Sequence, residues 1–500
     1  MPRSKTPADQ KQAHQKLTGQ AALVSLLGLR VPAPHVTSTT GPGRRQTTWQ
    51  DGRLHEHYIA SYDPGTEVFD HLRFALKYEA LDMGVMAAAM RAMDPIALAD
   101  WVRGSPSGQY TRRAWFFYER LTGQLLDLPD VAVASYIPAL RPDLHITGAP
   151  TRSARHKVED NLLGHGDFCL TVRRTPLIEG YIAQDLGRLG RDVLNACPPD
   201  LLARAVNYLY TKETKTSFAI EHEVPSVAKA DRFVASLKMA DRFSLDDPNA
   251  LIALQNQIVD PRYRAESLRD FQNFVGETVG FDYTEQVHFI CPRPADLPDL
   301  MADWRAFSAR VIAEVDPVIA AALSAFTFVF LHPFEDGNGR IHRFLIHKIL
   351  SDRGFTPPGM LFPVSAAILR DRHGYDRCLE AFSGAIQPLI DWHWTPARAV
   401  AVTNETAHLY RYFDATAQVE YLFDRISNTI EVDLRQEIAF IDRFDRAYTA
   451  VQALIDMPDA RARQLTTLIL QNGGTLSKAK RALFAEITDA EIAAIEAAIS

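Results

Sequence analysis

One short segment, His332-Pro-Phe-Glu-Asp-Gly-Asn-Gly-Arg-Ile-His-Arg343, gathers the residue types that phosphate chemistry needs. Gly337 and Gly339, on either side of Asn338, free the backbone to take φ > 0 and to expose N–H groups. Those donors, at the positive end of the helix that follows, make an anion site. Arg340 and Arg343 are three apart and project from one side of that helix near its start, where two guanidiniums and a nest of amides fit a polyphosphate. Asp336 supplies an oxygen ligand beside the loop, placed for a Mg²⁺ that bridges phosphate oxygens. His332 is the natural proton acceptor, because an imidazole titrates near working pH. Taken together, these residues read as a clamp for a nucleotide with a base that deprotonates an incoming hydroxyl.

The elements around the segment are helical. Val318 to Leu331 reads as a buried helix and Ile341 to Leu350 repeats apolar residues at helical spacing, so helix, tight loop, helix is the predicted unit. The same periodicity in Trp115 to Leu126 and Leu201 to Tyr210 makes the fold class mainly α. Strand signals are few. Thr47 to Ile59 carries the turn dipeptide Asp51-Gly52 and predicts a hairpin; Tyr283 to Cys291, followed by the Pro-rich Pro292 to Pro298, predicts a second. Polar, Pro-marked stretches at Pro142 to Ser153 and Pro388 to Pro396 are the expected joints of an N-terminal α-rich domain with its hairpin (1–150), a central domain (151–400) and a C-terminal helical module (401–500). In the last module a helix from Arg461 to Gln471 stops at Asn472-Gly-Gly474, Ser477 is the next expected N-cap, and Thr488 to Glu491 is a capping box. Such a trihelical unit resembles a degenerate helix-turn-helix, yet Lys478, Lys480 and Arg481 are a thin basic patch for DNA, and a packing module is the favoured reading of 461–500.

Composition bounds the rest. A chain of 500 residues suggests roughly three domains. With 54 Lys and Arg against 61 Asp and Glu, the net charge of −7 gives no sign of a polyanion-binding surface over the whole chain, so any nucleic-acid contact would have to be local. Cys169, Cys197, Cys291 and Cys378 are scattered without a CxxC pair, which argues against a zinc site or a disulfide framework and fits a cytoplasmic setting. Met1 to Gln20 is polar and helical in character, without the apolar core of a signal peptide, and no apolar run reaches the roughly 18 residues of a membrane span. His55 and His57 alternate on one strand face but lack a third ligand, so exposed histidines are the simpler reading. Gly187 and Gly190 fall in a helical stretch and read as structural; Trp101 and Trp115 read as core.

The segment from His332 to Arg343 resembles the Fic motif, His-x-Phe-x-Asp/Glu-Gly-Asn-Gly-Arg-x-x-Arg, at every defined position: His332, Phe334, Asp336, Gly337, Asn338, Gly339, Arg340 and Arg343. The resemblance implies a Fic helical core in which His332 is the general base and Asp336 binds Mg²⁺. It further implies that the Gly337 to Gly339 backbone holds phosphate oxygens, that Arg340 and Arg343 neutralise the β and γ phosphates, and that Phe334 anchors the loop. It also implies that residues 283–298 are a flap, a hairpin that takes up a segment of the target as an added strand and presents its hydroxyl to His332.

Upstream, within Thr211 to Ser226, Ser217 and Glu221 stand at the spacing of the family's inhibitory helix, Ser/Thr-x-x-x-Glu-Gly/Asn, on one helix face. A carboxylate opposite Arg343 would compete with phosphate for a bidentate partner. His222 departs from the family, which has Gly or Asn at that position. The function implied is an autoinhibited protein adenylyltransferase that moves AMP from ATP to a Tyr, Ser or Thr hydroxyl of a target protein or of itself. The alternatives are a related enzyme that uses another nucleotide or removes AMP, and a non-enzymatic nucleotide-sensing regulator that holds DNA or a partner through its C-terminal helices.

Overall fold

The computed structural model describes residues 15–50, 53–164, 167–279 and 284–499. The N-terminal part begins with β1 (Lys16–Leu17), α1 (Gly19–Leu26), β2 (Val36–Gly41), β3 (Gln46–Gln50) and β4 (Arg53–Ile59). The predicted hairpin is present: β3 and β4 pair antiparallel from Gln50 against Arg53 to Gln46 against His57, while Asp51 and Gly52 lie outside the described residues. β2 lies parallel to β4, which gives a four-stranded sheet of order β1-β2-β4-β3. A helical start to the chain is therefore not found from Lys16 to Leu17, where the backbone pairs with β2 instead.

This sheet corrects the reading of the histidines. His57 is buried, with Nδ1 3.1 Å from Thr39 Oγ1 and Nε2 3.1 Å from the Pro42 carbonyl, and His55 is half-buried. Both ring nitrogens of His57 are thus spent inside the sheet, where a strand-face pattern alone could not place them. Four helices follow: α2 (Val68–Tyr78), α3 (Met83–Ala92), α4 (Pro95–Arg103) and α5 (Gln109–Thr122). Trp115 is buried in α5, which stops short of Leu126 because Gly123 takes a left-handed φ of 69°. Trp101 is half-buried and stacks on Phe69. Three short strands, β5 (Ile137–Pro138), β6 (Thr151–Ser153) and β7 (Val158–Asp160), form a second small sheet.

The central part is built from α6 (Pro176–Gln184), α7 (Leu186–Asn195), α8 (Pro199–Ile220), α9 (Val227–Lys238), α10 (Ala250–Ile258), the strands β8 (Phe274–Val279) and β9 (Thr284–Ile290), α11 (Leu297–Glu314), α12 (Pro317–Leu331) and α13 (Asn338–Asp352). α14 (Val364–Arg370) and α15 (Arg372–Ile386) complete it. α12 is its axis. Asp316 caps it by accepting from the N–H groups of Val318 and Ile319, Pro317 opens its first turn, and 13 of its 15 residues are buried. An apolar helix with no polar face has to be surrounded. α11 supplies Trp304, whose Nε1 donates to the Ser324 carbonyl (2.9 Å), and α15 supplies Phe382, stacked on Phe330 with ring centroids 4.2 Å apart. Each such fully buried apolar side chain contributes about 1.5–3 kcal/mol. Gly187 and Gly190 of α7 are structural as expected: a Cβ at Gly190 would meet the Phe362 ring at 2.5 Å.

The predicted second hairpin is displaced toward the N-terminus. β9 covers most of the expected strand, but its partner β8 begins at Phe274, and Leu297 and Pro298 already belong to α11. Gly276 hides β8 in the sequence, since a glycine inside a strand weakens the pattern and marks a bulge, here between Val275 and Gly276. Tyr283, named as the start of the flap, lies outside the described residues. The stretch Pro388 to Pro396, expected as a joint, contains the strand β10 (Trp392–Trp394), paired with β11 (Val400–Val402).

The chain ends in α16 (Ala407–Arg411), α17 (Thr416–Asn428), a π-helical turn at Thr429–Leu434, α18 (Arg435–Leu454), α19 (Asp459–Gln471), α20 (Lys478–Arg481) and α21 (Asp489–Ile499). The capping box is formed: the Thr488 hydroxyl accepts from the Glu491 N–H (3.3 Å) and the Glu491 carboxylate from the Thr488 N–H (2.7 Å). Ser477 does precede α20, but its side chain makes no capping bond. No helix among the described residues is long and apolar enough to cross a membrane.

Candidate active site

The loop between α12 and α13 is held open by backbone geometry. His332 ends α12 in the left-handed region (φ 48°), a conformation that costs a residue with a Cβ about 1–2 kcal/mol. Gly337, at φ 93°, turns the chain into α13. Asn338 staples the loop from inside: its Oδ1 accepts from the Phe334 N–H (3.1 Å) and its Nδ2 donates to the Phe334 carbonyl (2.8 Å). Phe334 is buried beneath, as an inward anchor should be. Gly339 departs from expectation, because it lies in the first turn of α13 without a positive φ; what it requires is space, since a Cβ there would run into Glu221 Oε1. The first N–H groups of α13 have no partner within the helix and point out of its positive end.

His332 Nδ1 lies 3.3 Å from the Val329 carbonyl, which assigns the ring proton to Nδ1 and leaves the Nε2 lone pair as acceptor. Burial, followed by the neighbouring Arg269 guanidinium, lowers the pKa of the ring to about 4. The ring is therefore neutral at pH 7 by a wide margin, whereas an ordinary imidazole would titrate close to working pH.

Arg340 and Arg343 are both about 2% exposed. Arg343 donates from Nε to Ser217 Oγ (2.6 Å) and from Nη2 to the Ser217 carbonyl (2.9 Å) and to Glu221 Oε1 (2.5 Å). Glu221 Oε2 lies 3.2 Å from Arg340 Nε, so one carboxylate spans both guanidiniums. Arg340 also donates to Asp336 Oδ1 (2.6 Å) and to the Ile258 carbonyl (3.2 Å), and lies over the Phe218 ring.

Asp336 Oδ1 accepts from the Gly337 N–H as well (2.6 Å), and the side chain is 37% exposed. Among the described residues no group of three or more His, Cys, Asp or Glu side chains could hold a metal. Asp336, a half-exposed carboxylate, could offer one oxygen to a Mg²⁺, which would supply charge neutralisation for a bound phosphate.

Residues 245–350 match the model of the Fic/DOC family. This stretch is a Fic/DOC domain. A curated relative from Nematostella vectensis, "Protein adenylyltransferase Fic", is 30% identical over 178 residues, 34% of this chain and 37% of that protein. One of the same name from Culex quinquefasciatus is 28% identical over 243 residues, 44% of this chain and 45% of that protein. The chain thus spans less than half the length of these relatives. A solved Fic family protein from Desulfovibrio desulfuricans G20 aligns with TM-score 0.38 and 19% identity over 60% of this chain and 88% of that one.

Ser217 and Glu221 lie upstream of the matched stretch, yet α8 delivers them to the Fic loop. About 33 Å long at 1.5 Å per residue, α8 is tied down along its length. Glu213, fully buried, accepts from the Ser365 N–H (2.9 Å) and hydroxyl and faces His347 Nε2 (2.8 Å); Lys212 pairs with Asp433 (3.4 Å) and Glu437. Its end is a Schellman motif: the Glu223 N–H bonds the Phe218 carbonyl (3.0 Å) and the His222 N–H the Ala219 carbonyl (3.1 Å). His222 holds the left-handed position with φ 58°, the conformation that Gly and Asn adopt most cheaply. The histidine is an energetic compromise there, and its Nδ1 accepts from Arg372 (3.1 Å).

Every residue singled out in the sequence around the Fic loop lies at this one place. Two others were missed. Gln255, fully buried, donates from Nε2 to the Asp336 carbonyl (3.2 Å) and to the Tyr263 carbonyl (2.8 Å), which pins the loop to α10. Arg269 grips the His332 end of the loop. Neither lies in a periodic pattern or a motif of its own, so no local signal marks them.

Proposed function

We propose that the chain is a protein adenylyltransferase that moves AMP from ATP to a hydroxyl side chain, and that Glu221 holds it in check. The observation that carries this reading is the convergence of a neutral imidazole, the open end of α13 and two buried arginines on one loop. The amides at the start of α13 bind phosphate oxygens, and Arg340 and Arg343 neutralise the β and γ phosphates. Asp336 would hold a Mg²⁺, which supplies charge neutralisation between the phosphates when bound. His332 Nε2 takes the proton of the incoming hydroxyl, whose oxygen bonds to the α phosphorus as the bond to pyrophosphate breaks.

The target segment lies along the β8–β9 hairpin as an added strand, and a hydroxyl of this chain is an equally competent acceptor. Four free cysteines, three of them buried, suit a reducing cytoplasm. Glu221 occupies both guanidiniums, so a γ phosphate must displace it. Charge-assisted hydrogen bonds contribute about 1.5–3 kcal/mol each, enough to hold the site shut at modest nucleotide occupancy.

The test is labelled ATP with a cell lysate. Glu221→Gly should transfer α label to protein roughly 10–100-fold faster than the unaltered chain, the equivalent of losing one such contact, and γ label should not transfer. Transfer of γ label would assign phosphorylation instead, and no gain in α label with ATP binding intact would remove Glu221 from the regulation.

A further inference from the structure

Arg269 precedes the hairpin and is 6% exposed. Its own N–H donates to the Pro333 carbonyl (3.0 Å) and its Nε to the His332 carbonyl (2.8 Å). The rest of the guanidinium turns the other way: Nη1 donates to the Phe271 carbonyl (2.8 Å), just ahead of β8, and Nη2 to the Pro292 carbonyl (2.7 Å), just after β9. Gln272 closes the same neck by donating to the Cys291 carbonyl (2.7 Å). The Arg269 side chain thus fastens both roots of the hairpin to the carbonyl of His332, and its main-chain N–H adds the carbonyl of Pro333.

We infer that Arg269 is a positioning residue that yokes the target-docking hairpin to His332 and so sets where the acceptor hydroxyl meets the Nε2 lone pair. The inference rests on the adenylyltransferase reading and extends it to a residue outside the loop motif. All four acceptors are main-chain carbonyls, and a guanidinium alone offers enough donors in a planar fork to reach three of them at once. A buried cation is a costly way to tie loops unless the charge also acts. Here it does, since after burial the Arg269 charge is the next cause that lowers the His332 pKa, against the Val329 carbonyl and the Asp336 carboxylate, which raise it. A hydroxyl docked on the hairpin must reach His332 within about 3 Å, and a displacement of about 1 Å can cost 10²-fold in rate. Transfer of AMP to water places no such demand on the hairpin.

The experiment uses the full chain in the Glu221→Gly background with Arg269→Gln and Arg269→Lys. It measures α-label transfer to protein, release of free AMP, ATP affinity by calorimetry and the pH dependence of each rate. Arg269→Gln should leave ATP affinity nearly unchanged, lower transfer to protein by on the order of 10²-fold, spare AMP release, and raise the acid limb above about 4 while burial still holds it below that of an ordinary histidine. Arg269→Lys keeps the charge but loses the fork. Its acid limb should stay low while the ratio of protein transfer to AMP release still falls. An unchanged ratio in both variants overturns the inference, as does a proportional loss of ATP binding and of both rates, which would mark a purely structural tie. If the Glu221→Gly parent itself transfers no α label, the adenylyltransferase reading fails first, and that result is read before either Arg269 variant.

Discussion

Two structures meet the candidate active-site segment at its two ends, one at Arg340 and Arg343 and the other at His332 and Pro333. The end of α8 engages it: Ser217 and Glu221 accept from Nε and Nη2 of Arg343, and the second oxygen of Glu221 faces Arg340. The β8–β9 hairpin is tied at its neck by Arg269 and Gln272 and packs Phe289 against Phe330 and Phe382, while Val275 and Gln286 are exposed. The guanidiniums proposed for phosphate are thus engaged by the chain itself, while the surface proposed for the target keeps exposed side chains. The inhibition proposed for Glu221 would need no movement of His332 or of the loop. It would be competition for two guanidiniums, with a strength set by how firmly α8 is anchored.

The comparison breaks most visibly at the base that both sides serve. In the Glu221→Gly background, His332→Ala should lower α-label transfer by roughly 10²–10⁴-fold, the usual contribution of a general base, with ATP affinity unchanged by calorimetry. The pH profile gives the next effect. Because the folded-state pKa of His332 is lowered to about 4, the neutral ring persists as pH falls from 7 to 5, and transfer should be lost only on approach to 4. An ordinary imidazole would already cost about tenfold one unit below 6.5. The same shift makes folding less favourable in acid: the unfolded chain takes up the proton first, so the contribution of the buried neutral ring to stability is present above about 6.5 and is lost as pH falls toward 4.

Smaller changes on α8 sharpen the contrast with the hairpin. Ser217→Ala removes one acceptor of Arg343 but leaves the Glu221 contact, so α-label transfer in the otherwise unaltered chain should rise only a fewfold, well short of Glu221→Gly. His222→Gly relieves the left-handed position at the end of α8 and should stabilise the fold by about 1 kcal/mol in a denaturant titration. With its anchor firmer, the basal transfer rate should not rise. A rise would show that His222 acts through Arg372 and not through the helix end.

Local patterns were legible because their partners are close along the chain. The loop from His332 to Arg343 needs only a helix end, a turn and a helix start. Ser217 and Glu221 declare a shared face through helical spacing alone. The strand β9 was readable in Val287 to Ile290, whereas β8 was not, since Gly276 interrupts its pattern at the bulge.

By itself, the sequence determined the residue types of the site, the helices that carry them and the shared helical spacing of Ser217 and Glu221. Tertiary structure decided the rest. That Glu221 meets two arginines across 122 and 119 residues, that Gln255 holds Asp336 across 81 and that Arg269 holds His332 across 63 are facts of packing. So is the neutrality of His332, because desolvation belongs to the surroundings of a group and not to its neighbours in the chain.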